Sequence, residues 1–148
     1  MGIITNFVGG LAGAVALNIL HETAKRLDHD APRIDLVGEE AVNKGLKSVG
    51  AEPLKGDSLF AAALAGDLVS NAIYYSSIGI GGRKYVLLRG AIYGLSAGIG
   101  AVELTKPLGL SDAPITKTNK TKALTIAWYL FGGMVAAVTI KALSKKRL

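Results

Sequence analysis

Cysteine is absent from the 148 residues of the chain, which excludes disulfides, thiolate metal centres and cysteine nucleophiles. Histidine occurs only twice, and the Glu-x2-His spacing of carboxylate-bridged metal bundles is missing. His21-Glu22 and His29-Asp30 are adjacent pairs, and neighbours on a helix point about 100° apart. Neither a metal site nor a cofactor is expected from so sparse a donor set. Aromatics are scarce at 6%, and no basic face interleaves with them, so the net charge of +6 does not point to nucleic acid. The nucleophile elbow, the P-loop, HExxH and the dinucleotide fingerprint are also absent, and an enzyme is not expected.

Half of the residues are hydrophobic, mostly Ala, Val, Leu and Ile beside 19 Gly. Gly-rich, apolar and aromatic-poor composition suits close helix contacts in lipid better than a soluble core. Apolar helices are expected over residues 3–26, 58–80, 84–105 and 121–143. Each approaches the roughly 20 residues that cross a hydrocarbon core. Each also carries isolated polar residues where a soluble helix would show a polar face. No Lys or Arg precedes Lys25, so the first stretch lacks the basic start of a signal peptide and is expected to be a retained span. The expected fold is an all-α membrane protein, one domain over residues 1–148, built as a four-transmembrane-helix bundle in the lipid bilayer.

The polar segment between the first two spans carries Asp35 as a helix cap, and Gly50 and Pro53 as a stop. A short surface helix over 35–49 follows, with Val42, Leu46 and Val49 on one face. Tyr74, Tyr75, Trp128 and Tyr129 are expected to anchor spans at the membrane interface. Lys145, Lys146 and Arg147 follow the last span as a basic flank. An even number of spans places both termini on one side. Lys and Arg occur on both sides of the membrane, and the expectation is cytoplasmic termini in a bacterial inner membrane.

The first and third spans share a pattern. Gly9, Gly13, Ala16, Glu22, Lys25 and Leu27 recur in spacing as Gly90, Gly94, Ala97, Glu103, Lys106 and Leu108. Asp-Ala-Pro follows each, with one extra residue before the second. Two parallel helix-pair repeats are expected, related by a pseudo-twofold along the membrane normal. Gly9 and Gly13, and Gly90, Gly94 and Gly98, form small-residue stripes through which spans one and three would pack at the centre. Gly132 and Gly133 add a third such position, and the same grooves would serve a homo-oligomer or a membrane-protein partner.

Charges inside a span are costly and need an account. Asp67 stands mid-span, Asn71 lies one turn on, and Arg89 is the nearest intramembrane cation. Asp67 is expected either to clasp Arg89 or Asn71 or to carry protons or ions. Glu22 and Glu103 end their spans at matched positions, each followed at i+3 by Lys25 or Lys106. They are either weak surface pairs or, joined across the pseudo-twofold beside His21 and Asn18, a proton-sharing or cation-binding pair. Two functions are carried forward: a transporter or channel for protons, ions or a small solute, and a non-catalytic scaffold or accessory subunit binding protein or lipid.

Overall fold

The computed structural model describes residues 1–144, which form helices and turns with no strand among them. The helices are α1 (Ile3–Leu27), α2 (Ile34–Ser48), α3 (Gly56–Ser76), α4 (Val86–Leu104), α5 (Ala113–Thr116) and α6 (Asn119–Leu143). Lys145, Lys146 and Arg147, read as a basic flank, lie outside the described residues.

Three helices are long and apolar enough to cross a membrane: α1, α4 with the turn before it, and α6. This supports association with a membrane. The 21-residue α3 falls outside that group, because Asp67, Ser70 and Asn71 dilute its apolar run. Ile3, Ile4, Ile19, Val69, Ile73 and Ile92 are all more than half exposed, an apolar surface that water does not favour.

Glycine sets how the long helices pack. A Cβ at Gly13 would stand 2.5 Å from the Gly132 carbonyl oxygen. One at Gly94 would stand 2.7 Å from Leu130 Cα, and one at Gly98 2.6 Å from Ile126 Cα. Gly9 meets Ile140, Gly90 meets Ala137, and a Cβ at Gly133 would stand 2.6 Å from the Gly90 carbonyl oxygen. Both stripes therefore turn onto α6. This corrects the expected central contact between the first and third spans: α6 stands between α1 and α4. The helix pairs α1/α6 and α4/α6 run antiparallel, since rising numbers on one meet falling numbers on the other. On its other side α1 receives α3, with Gly10 against the backbone of Ala72 and Ser76.

The room left by Gly13 and Gly132 is filled by Tyr75, which is fully buried and donates a 2.8 Å hydrogen bond from its hydroxyl to the Tyr129 carbonyl. Trp128 and Tyr129 are buried as well. The expectation of interfacial anchors is thus wrong for these three rings. Only Tyr74 among the four is substantially exposed.

The surface helix appears as α2 and starts one residue earlier than expected. Arg33 takes the position before it, and Asp35 lies inside its first turn instead of capping it. Val49 falls after the helix and is exposed, so only Val42 and Leu46 of the expected face are partly sheltered. α2 is strapped to the far connection by Arg33 N–H to the Pro114 carbonyl (3.0 Å), Lys44 to the Leu108 carbonyl (2.7 Å) and the Ser111 N–H to Glu40 (2.9 Å).

Candidate functional site

Asp67 occupies the middle of α3 and faces α1. Its Oδ2 accepts a 2.8 Å hydrogen bond from Asn18 Nδ2, and its Oδ1 accepts one of 2.9 Å from Asn71 Nδ2. The Asn18 amide also donates to the Ala14 carbonyl at 3.0 Å, which fixes the orientation of the group. Asn18 reaches Asp67 because α1 and α3 are antiparallel. Asn71 reaches it because residues four apart share a helix face. Two donors on a carboxylate offset part of its desolvation, which otherwise costs several kcal/mol.

Arg89 does not take part. Its guanidinium donates to the carbonyls of Ile78 (2.8 Å) and Gly82 (2.9 Å), bracing the turn between α3 and α4. Gly81 in that turn has φ 108°, a backbone region open chiefly to glycine. The free carbonyls of a turn outcompete a carboxylate that lies more than three helical turns away along α3.

Beyond Asp67, towards the C-terminal end of α1, polar side chains gather under α2. Lys25 lies between two acids, 2.8 Å from Glu22 and 3.3 Å from Asp35. Arg33 closes the group with bonds of 2.9 and 2.7 Å to Asp35. The Lys25 and Asp35 side chains are only 16% and 13% exposed, so this pair is sheltered, unlike the solvated pair that exposed residues would make. Burial pushes the Asp35 carboxyl up, but the Arg33 hydrogen bonds and the charges of Arg33 and Lys25 outweigh it. The net effect holds Asp35 below its ordinary carboxylate value.

Enclosed by these groups is a cavity of about 30 Å³, lined by Asn18, His21, Glu22, Asp35, Phe60 and Asp67 among others. That volume suits one or two waters. His21 is buried against Trp128, with ring centroids 5.1 Å apart, and its Nε2 has no hydrogen-bond partner. A buried polar atom left unmatched costs about 1–3 kcal/mol. A second such atom, Asn6 Oδ1, lies near the other end of α1.

Glu103 does not join this cluster. It is exposed on α4, which α6 separates from α1. Its i+3 neighbour Lys106 lies beyond the helix, which ends at Leu104, so the pairing seen at Glu22 and Lys25 is not reproduced. The expected pairing of Glu22 with Glu103 across a pseudo-twofold is therefore absent. His29 stands apart on the surface beside Lys117 and Asp30. Among the described residues no His, Cys, Asp or Glu cluster is arranged to hold a metal ion.

Sequence reasoning had placed Asp67, Asn71, Asn18, His21 and Glu22 as candidates, and the fold brings these together. It missed Asp35 and Lys25 as members and Tyr75 as a continuation. Asp67, Asn71 and Tyr75 are spaced at i, i+4 and i+8, a signal of one face that was legible for all three. Comparison with protein-family models, curated proteins and solved structures finds no match for this chain.

Proposed function

We propose that the chain is an integral membrane protein that crosses the bilayer four times and moves protons, ions or a small solute along the α1–α3 interface. The observation that carries this reading is Asp67, a mid-helix carboxylate held by Asn18 and Asn71 on the wall of a small polar cavity. An acid at that depth is costly to keep unless it has work to do, and intramembrane acids commonly mark ion or proton paths. Polar groups continue on both sides of it. Towards one end stand Asn71, Tyr75 and Asn6, and towards the other His21, Glu22, Lys25 and Asp35. The two partnerless buried atoms, on Asn6 and His21, are about 22 Å apart at 1.5 Å per residue of α1.

Several features support α3 as the fourth span. Its 21 residues reach about 31 Å, enough for the hydrocarbon core. Val69 and Ile73 on its outer face are exposed and suit lipid. The antiparallel pairs α1/α3 and α4/α6 would then be two helix-pair units entering the membrane in the same direction, since α1 and α4 both run opposite to α6. This placement puts both termini on the same side, read here as the cytoplasmic face of a bacterial inner membrane. The glycine stripes serve as GxxxG-type packing surfaces on α6.

Reconstitution of the purified chain into liposomes tests the transport reading. Flux of protons, sodium or potassium that disappears in a folded Asp67→Asn variant is the expected result. Equal flux in variant and parent, or none in the parent, contradicts it.

A second reading is favoured by the same two bonds, which also join α1 to α3. In that reading Asp67 is a structural clasp in a scaffold or accessory subunit. A partner recovered in stoichiometric amount from native membranes would support it, and a parent chain that transports on its own would count against it.

A further inference from the structure

Resting on the transport reading above, we propose that the transported species is the proton and that a water in the α1–α2–α3 cavity links Asp67 to His21. Three independent features converge on this. The cavity is about 30 Å³, room for one or two waters. His21 lines that cavity, is 7% exposed, and has a buried Nε2 without a partner. Polar atoms in that condition are normally satisfied by an ordered water. The remaining walls carry the acids Asp67, Glu22 and Asp35 beside Asn18. A water within the cavity would bridge these groups and carry a proton from one to the next.

The step balances as follows. The protonated Asp67 carboxyl gives its proton to the water, and the water gives one of its own to an imidazole nitrogen of neutral His21. The products are a carboxylate, a water and an imidazolium. Glu22, next on α1 and on the cavity wall, takes the proton onward, and His21 returns to neutral. The carboxylate is meanwhile stabilised by the Asn18 and Asn71 amides, which are already in place at 2.8 and 2.9 Å.

The charged and titratable groups around His21 come from every helix that packs there. Glu22 and Lys25 belong to α1, Arg33 and Asp35 to α2, Asp67 to α3, and Tyr129, 6.2 Å away between ring centroids, to α6. Lys25 is tied to Glu22 and Asp35. Arg33 is tied to Asp35. Asp67 is left as the acid on the cavity wall that no cation neutralises.

Two measurements on the full chain test the proposal. In liposomes with a trapped pH-sensitive dye, the parent should pass protons and neither sodium nor potassium, and His21→Gln and Asp67→Asn should each abolish the flux. Sodium or potassium flux that needs Asp67 but survives His21→Gln overturns the proton assignment and leaves the transport reading intact. No flux of any of the three ions in the parent overturns both. The second measurement follows the imidazole nitrogens by NMR in lipid nanodiscs. Asp67→Asn should displace the titration midpoint of His21 by about one unit or more, the coupling at which two sites titrate together, and leave His29 in place. A His21 midpoint indifferent to Asp67 overturns the proposal even if flux is seen. If Asp67→Asn does not fold, Asp67→Glu, which keeps the acid and moves it by one methylene, must displace the same resonance.

Discussion

Asn18 on α1 and Asp67 on α3 are joined by a hydrogen bond of 2.8 Å across 49 residues of sequence. The two helices also meet through Gly10 against Ala72 and Ser76 and through the Lys25 ammonium over the Phe60 ring. A bond to a charged acceptor in a protein is worth about 1.5–3 kcal/mol, and polar contacts between membrane helices average nearer 0.6. A double-mutant cycle of Asn18→Ala and Asp67→Ala is expected to give a coupling of about 1–2 kcal/mol in detergent unfolding. Additive single effects would show that the two side chains do not support each other.

Glycine positions should separate into two classes. Gly94→Val forces a side chain into the backbone of Leu130 and Tyr129, and overpacking of that kind costs about 1–3 kcal/mol. Gly66, in the interior of α3, has open space where its Cβ would go. There Gly66→Ala should stabilise by up to about 1 kcal/mol through helix propensity. Thermal unfolding in micelles checks both, and similar effects at the two sites would contradict the packing.

Tyr75 combines a buried ring with one hydroxyl bond. Tyr75→Phe keeps the ring and leaves the Tyr129 carbonyl without its donor, for an expected loss of about 1 kcal/mol. Tyr75→Ala also opens a cavity between Gly13 and Gly132 and should cost about 3–5 kcal/mol. Equal losses would mean that the ring is not packed as described.

α2 should come away in acid. The Asp35 carboxyl is held below its ordinary value by Arg33 and Lys25 against the opposing effect of burial. The docking it supplies is therefore complete above about 3.9, the ordinary carboxylate value, and is lost as pH falls through the lower folded value. With no native cysteine, spin labels at Ala41→Cys and Ile92→Cys would report alone. Their separation should stay constant from neutral pH to about 5 and broaden towards 3 and below. Asp35→Asn should broaden it at neutral pH, and an unchanged distance in that variant would contradict the latch.

Much of this arrangement was legible in the residues themselves. Apolar runs and glycine spacing marked the long helices to within a few residues, because both act locally. Asp67, Asn71, Asn18, His21 and Glu22 stood out because polar groups in apolar runs need partners. What stayed hidden depends on which helices become neighbours. The stripes at Gly9 and Gly90 matched each other in sequence, and nothing local shows that both would seat on α6. Arg89 was the nearest cation to Asp67 along the chain, yet the turn carbonyls of Ile78 and Gly82 hold it. Asp35 read as a helix cap, and only the fold brings Lys25 beside it.

The most direct measurement of the central claim is proton entry into dye-loaded liposomes carrying the full chain or Asp67→Asn at equal density, both checked for folding. Entry with the parent and a return to the rate of protein-free vesicles with the variant are expected. Equal entry with both proteins, or no entry with a folded parent, would contradict it.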